Sequence, residues 1–133
     1  MKSLKVRDYM STRLLTFNAK TTVAEAVGKL LEHRISGAPV LDEEGNLLGI
    51  LSEVDLIRVF LQDSYYNEAI GIASDFMQHP VESVDPEMDI VSLAEQFLSQ
   101  HRRRYPVVKD GVLLGQISRR DVLRAAADFQ DAE

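Results

Sequence analysis

Apolar residues along this chain fall into one pattern written twice. Val23, Ala26, Val27, Leu30 and Leu31 recur at i, i+3, i+4, i+7 and i+8, the spacing of a helix with one buried face. Thr22, with Glu25 three residues on, supplies a capping box at its start. The spacing predicts a short strand before it, Leu14 to Phe17, and Gly37 as its end. Two strands should follow, Ala38 to Asp42 and Leu47 to Leu51, around a Glu43-Glu44-Gly45-Asn46 turn whose Gly and Asn suit positive φ. A second helix should start at Ser52.

A shift of 67 residues lays the second half of the chain on the first. Asp8-Tyr9-Met10 falls on Asp75-Phe76-Met77. The helix positions fall on Ile90, Leu93, Ala94, Phe97 and Leu98, and Ala38-Pro39-Val40 falls on Tyr105-Pro106-Val107. After one deleted turn residue, Ser52-Glu53-Val54-Asp55 falls on Ser118-Arg119-Arg120-Asp121. The second copy therefore predicts a strand at 81–84, a helix at about 89–100, a hairpin of 105–109 and 112–117 around Asp110-Gly111, and a helix from Ser118 to about Phe129. The fold class is α/β (α+β): two pseudo-symmetric β-α-β-β-α repeats, 5–60 and 73–129, joined by a linker at 61–72 that holds Tyr65-Tyr66. Tandem repetition predicts a pseudo-two-fold body with a seam between its halves, and seams are where small molecules bind.

Composition changes this picture little. In 133 residues, 45% are apolar and 27% charged, as in an ordinary soluble globule able to form its own core. There is no cysteine, which excludes disulfides and thiolate metal sites and suits a reducing, cytoplasmic setting. No apolar run is long enough for a signal peptide or a membrane span. The helix after Ser52 is apolar on more than one side (Val54, Leu56, Ile57, Val59, Phe60, Leu61). Its outer face reads as the surface of a homodimer, unless the linker folds back over it.

Charge is more informative in its distribution. The net charge of −6 argues against general nucleic-acid affinity. Yet Arg58 is the only Lys or Arg between residues 35 and 100, whereas Arg102, Arg103, Arg104, Lys109, Arg119, Arg120 and Arg124 follow. The second repeat thus carries a positive patch, with no aromatic residues interleaved among its arginines as a single-strand binder would want.

No nucleophile elbow, Walker loop, dinucleotide glycine motif or zinc-protease motif is present, so the chain reads as no enzyme and as needing no metal or cofactor. His33, His79 and His101 are scattered. Gly49-Ile-Leu-Ser52-x-x-Asp55 and Gly115-Gln-Ile-Ser118-x-x-Asp121 stand out instead. Each places a hydroxyl and a carboxylate at a strand-to-helix junction. A helix cap accounts for either motif alone. The same geometry also offers N–H groups to phosphate and a carboxylate to the two hydroxyls of a ribose.

These motifs, with Met10 and Met77 before each first strand and His33-Arg34-Ile35-Ser36-Gly37-Ala38-Pro39-Val40 at a helix end and strand, resemble a pair of CBS domains (a Bateman module) over about residues 5–128. The resemblance implies repeats packed sheet to sheet, clefts between them for adenine-containing ligands (AMP, ADP, ATP or S-adenosylmethionine), and a disc-like dimer of two modules. It implies ribose binding by Asp55 and Asp121, and phosphate contacts by Ser52 and Ser118. The cleft closed by Asp121 would be lined by Leu14, Leu15 and Thr16 with Tyr105 and Pro106. The cleft closed by Asp55 would be lined by Val81 and Ser83 with Gly37, Ala38 and Pro39. Arg103-Arg104 stand where some relatives carry a phosphate-binding His-Arg pair, while the first repeat has Ser36-Gly37. Guanidinium groups suit phosphate, so the Asp121 cleft is expected to be the tighter, with Arg119 or Arg120 adding to the patch. Glu82, which stands where the first repeat has Leu15, would read an amino group or repel the ligand. The expected function is a stand-alone regulatory module that binds an adenine nucleotide and signals to an unidentified partner. A structural dimerisation module with empty clefts and a nucleic-acid binder using the second repeat are the alternatives.

Overall fold

The computed structural model describes residues 4–62 and 71–131; Tyr65-Tyr66 and the rest of 63–70 lie outside them. The chain forms two compact units that are offset from the sequence repeats. One comprises residues 15–62 and 71–81, the other 4–14 and 82–131. The segment that leads each repeat therefore packs into the core built by the other repeat.

In the first unit, β1 (Phe17–Asn18) runs parallel to β2 (Gly37–Leu41), which pairs antiparallel with β3 (Leu47–Ser52). α1 (Val23–His33) follows β1, and α2 (Glu53–Leu61) follows β3. The expected capping box is formed: Glu25 N–H donates to Thr22 Oγ1 at 3.1 Å, and Thr22 N–H to Glu25 Oε1 at 3.1 Å. A short α3 (Ala73–Phe76) closes the unit. The core joins Phe17, Val23, Ala26, Leu30, Ala38, Val40, Leu51, Leu56, Val59 and Ala73, with Phe76 and Met77 against it.

In the second unit, α4 (Ile90–Gln100), β4 (Arg104–Lys109), β5 (Val112–Ser118) and α5 (Arg119–Asp131) repeat the order. Asp89 caps α4 by accepting the Ser92 N–H at 3.1 Å. A single 3-10 turn, Val6–Asp8, brings Val6, Tyr9 and Met10 onto a core of Val84, Ile90, Leu93, Phe97, Tyr105, Val107, Ile117 and Ala125.

Four local expectations differ from what forms. The first strand of each repeat is shorter: β1 starts only at Phe17, and at 81–84 only Val84 bridges, to Val107. Pro80 and Pro86 bracket that segment and remove N–H donors at both ends. Gly37 does not end α1; Arg34 does, in the left-handed region at φ 55°, and His101 does the same for α4 at φ 55°. Gly45 takes positive φ, but Asn46 does not; it closes the turn through Asp42, donating to its carboxylate at 2.8 Å and 3.0 Å. Finally, α1 does not bury its whole apolar set. Val23, Ala26 and Leu30 are buried, whereas Val27 is 38% and Leu31 74% exposed.

Candidate functional site

Both Gly-x-x-Ser-x-x-Asp motifs fold into the same corner. In the first unit, Gly37 pairs with Ser52 across β2 and β3, and Glu53 N–H donates to Ser36 O at 2.8 Å. In the second, Arg104 pairs with Ser118, and Arg119 N–H donates to Arg103 O at 3.3 Å. The last residue before the strand and the first residue within it are thereby held beside the serine and the first turn of the following helix. Gly37 fits tightly there, because a Cβ on it would stand 3.3 Å from Leu51 O and Ser52 Cα. Position 104 accommodates a full arginine.

Each serine and acid form a reciprocal cap. Asp55 Oδ2 accepts Ser52 N–H at 2.8 Å and Ser52 Oγ at 2.8 Å, while Asp55 N–H donates to Ser52 Oγ at 3.3 Å. Asp121 Oδ2 accepts Ser118 N–H at 2.8 Å and Ser118 Oγ at 3.0 Å, and Asp121 N–H donates back at 3.3 Å. Several donors of the first helical turn are therefore satisfied internally, contrary to the expectation of a turn open to phosphate. Charge for an anion has to come from side chains instead.

The glycines of the motif serve a docking role. A Cβ at Gly49 would stand 2.7 Å from Gln78 O and from Met77 Sδ; at Gly115 it would stand 2.6 Å from Ser11 O and 3.0 Å from Met10 Sδ. The Met77-Gln78 segment thus lies directly on β3, where Gln78 bridges Ile50. Met10-Ser11 lies likewise on β5, where Ser11 bridges Gln116. This is why each repeat carries a methionine ahead of its first strand.

The second carboxylate oxygen is where the corners diverge. Gln78 Nε2 donates to Asp55 Oδ1 at 3.1 Å and reaches Oδ2 at 3.4 Å, and Asp55 is only 5% exposed. Asp121 Oδ1 instead accepts Arg124 Nη2 at 2.6 Å; the same nitrogen donates to Tyr9 O at 2.9 Å. Neither Gln78 nor Arg124 was evident from the motif. The i,i+3 spacing of Asp121 and Arg124 was not a sufficient signal, since Asp55 and Arg58 share it and the Asp55 carboxylate bonds Ser52 and Gln78; Gln78 lies 23 residues from Asp55 and is brought there by the bridge to Ile50.

The arginine cluster is partly engaged. Arg102 packs over the Tyr105 ring at 5.8 Å and pairs at 3.7 Å with Glu82, the acid expected to face a ligand. Arg119 Nε donates to Arg102 O at 2.8 Å. Among the described residues, the Arg103 and Arg104 side chains have no hydrogen-bond or ion-pair partner. Tyr105 is fully buried against Phe97, with ring centroids 5.0 Å apart; only its backbone remains to meet a ligand. Ala38 is 2% exposed and is placed the same way, and Pro39 and Pro106 are buried beside them. Of the other expected lining residues, Leu14 and Ser83 belong to the unit of Asp121, and Leu15, Thr16 and Val81 to the unit of Asp55.

The family model of the CBS domain matches residues 6–62 and 73–128. The chain belongs to the CBS domain family. CBS-pair structures share its mixed α/β fold. The crystal structure of CBSX2 from Arabidopsis thaliana in complex with AMP superposes with a TM-score of 0.82 at 29% identity, covering 96% of this chain and 99% of that one. The CBS domain pair of protein MJ0100, in complex with methylthioadenosine and S-adenosyl-L-methionine, is alike in fold at a TM-score of 0.74 and 22% identity, covering 94% of this chain and 97% of that one. The A-adding tRNA nucleotidyltransferase of Aquifex aeolicus is 31% identical over 94% of this chain, which spans only 15% of that enzyme's length. Among the described residues, no three His, Asp or Glu side chains gather to hold a metal, and no helix is long and apolar enough to cross a membrane.

Proposed function

We propose that this CBS pair is a non-catalytic regulatory module that binds an adenine nucleotide of the AMP class. The Ser118–Asp121 corner of the second repeat is its principal site. The observation that carries this reading is Arg103 and Arg104, whose side chains have no partner among the described residues, the one held by the Arg119 N–H and the other by strand pairing with Ser118, in the corner of Asp121. Asp121 would take the ribose hydroxyls, the two guanidinium groups a phosphate, and the backbone of Tyr105 and Pro106 the base. The AMP complex of CBSX2 supports the ligand class. Signalling would run through a homodimer. Val27, Leu31, Ile57 and Phe60 leave an apolar groove of about 620 Å³ between α1 and α2, a surface that a second copy would cover.

Melting temperatures with AMP, ADP, ATP and S-adenosylmethionine test the proposal. A ligand that binds only the folded chain at ~100 times its dissociation constant stabilises by about 2.7 kcal/mol, and the shift should vanish in Asp121→Ala. No shift with any of them would favour a structural dimerisation module. Binding to single-stranded nucleic acid that collapses with added salt would point to the arginines serving another polyanion.

A further inference from the structure

We infer that Gln78 closes the Asp55 corner and so restricts the chain to one nucleotide, at Asp121; this rests on the reading of the two acids as ribose-binding groups. Apart from Arg103-Arg104 in place of Ser36-Gly37, the two corners differ at one further equivalent position. Gln78 and Ser11 occupy the same place: each lies on the motif glycine and bridges the residue after it, Gln78 to Ile50 and Ser11 to Gln116. Gln78 is pinned there by two backbone hydrogen bonds, its N–H to Ile50 O at 2.8 Å and Ile50 N–H to its carbonyl at 3.0 Å. From that anchor its amide spans both oxygens of Asp55. With Ser52 taking the inner lone pairs, the acid retains 5% exposure and no free edge for a diol.

Ser11 is too short to do this, and Asp121 turns to Arg124. That partner is different in kind. Arg124 is held by Asp121 and by Tyr9 O, but its side chain is 57% exposed, and as a cation it can turn from the acid to a ligand phosphate and exchange one charge-assisted bond for another. Gln78 has no such alternative role, being neutral and fixed at its backbone. A diol approaching Asp55 must first break the amide's bonds to a charged group, which weakens binding by about tenfold or more. Inequivalence of the repeats therefore has a second source besides the arginines, and it lies in the segment that precedes the second repeat.

The test exchanges the two residues. AMP stoichiometry and affinity are measured by isothermal titration on wild type, Asp55→Ala, Gln78→Ser, Gln78→Ser with Asp55→Ala, and Ser11→Gln. The expected results are one AMP per chain for wild type and for Asp55→Ala, a second and weaker AMP for Gln78→Ser, whose corner has Ser36-Gly37 in place of the arginines, and one again when Asp55 is also removed. Ser11→Gln should lose about tenfold in affinity, the weight of one hydrogen bond to a charged group. Loss of a wild-type AMP on Asp55→Ala, or a single AMP bound by Gln78→Ser, overturns the inference. If no variant binds AMP, the nucleotide reading fails, and carbodiimide labelling of Asp55 read by mass spectrometry still decides the role of Gln78. Labelling about tenfold faster in Gln78→Ser than in wild type upholds the closed corner, and equal rates refute it. Circular dichroism confirms that each variant is folded.

Discussion

Alanine at three glycines separates a docking role from helix propensity. Gly49→Ala would drive a methyl group to 2.7 Å from Gln78 O and Met77 Sδ. Backbone carbonyl cannot yield as a flexible side-chain tip can, so the Met77-Gln78 segment must lift. Overpacking of this kind costs about 1–3 kcal/mol. Lifting also weakens the two Ile50–Gln78 hydrogen bonds at 2.8 Å and 3.0 Å, each worth about 1 kcal/mol net. The expected loss is about 3 kcal/mol. Gly115→Ala, facing Ser11 O at 2.6 Å, should behave alike. Gly28 lies inside α1 with nothing within 4 Å of its Cβ direction; there alanine should stabilise by about 0.5–1 kcal/mol through helix propensity. Urea unfolding followed by circular dichroism measures all three. A neutral Gly49→Ala would refute the close docking of 77–78 on β3, and with it the placing of Gln78 over Asp55.

Three further outcomes follow from the geometry. Tyr105 buries a hydroxyl with no hydrogen-bond partner among the described residues, so Tyr105→Phe should raise stability by about 1 kcal/mol in urea unfolding, where a loss would indicate a missed partner. The Asp42 carboxyl is held below its usual pKa by the Asn46 amide first and the Asn46 backbone N–H next. A lowered folded-state pKa gives stability that is present above the unfolded value and lost as pH falls through the folded one. Asn46→Ala should therefore raise the Asp42 pKa in an NMR titration and shrink the acid-side fall in stability; an unmoved titration would contradict that cause. Phe60, 65% exposed beside the apolar groove, should on Phe60→Glu shift a dimer toward monomer in analytical ultracentrifugation, and an unchanged mass would place the dimer face elsewhere.

The helices were legible because their signals are local. A 3.6-residue apolar period and the Thr22–Glu25 box fix α1 within a residue of its start. The end of α1 was not, because Arg34 adopts a left-handed conformation that sequence usually announces with glycine, whereas α4 ends at Gln100 as its pattern indicated. The first strands were overextended because four residues with apolar ends, Leu14 to Phe17 and Val81 to Val84, look the same whether paired or merely extended. At the site, the Ser-x-x-Asp corners could be read from spacing. What occupies the outer edge of each acid could not, since Gln78 reaches Asp55 through a strand bridge rather than through spacing. Comparing Gln78 with Ser11 across the 67-residue shift would have exposed the difference. Tyr105 sits beside Pro106 in the strand, and the pattern gave no sign that its ring turns wholly into the core.

The most direct test of the central claim is calorimetric titration of the chain with AMP, repeated on Asp121→Ala. Saturable binding of one AMP per chain that disappears in Asp121→Ala is the predicted result. Absence of binding, or binding that Asp121→Ala leaves unchanged, would contradict the assignment of the Ser118–Asp121 corner as the nucleotide site.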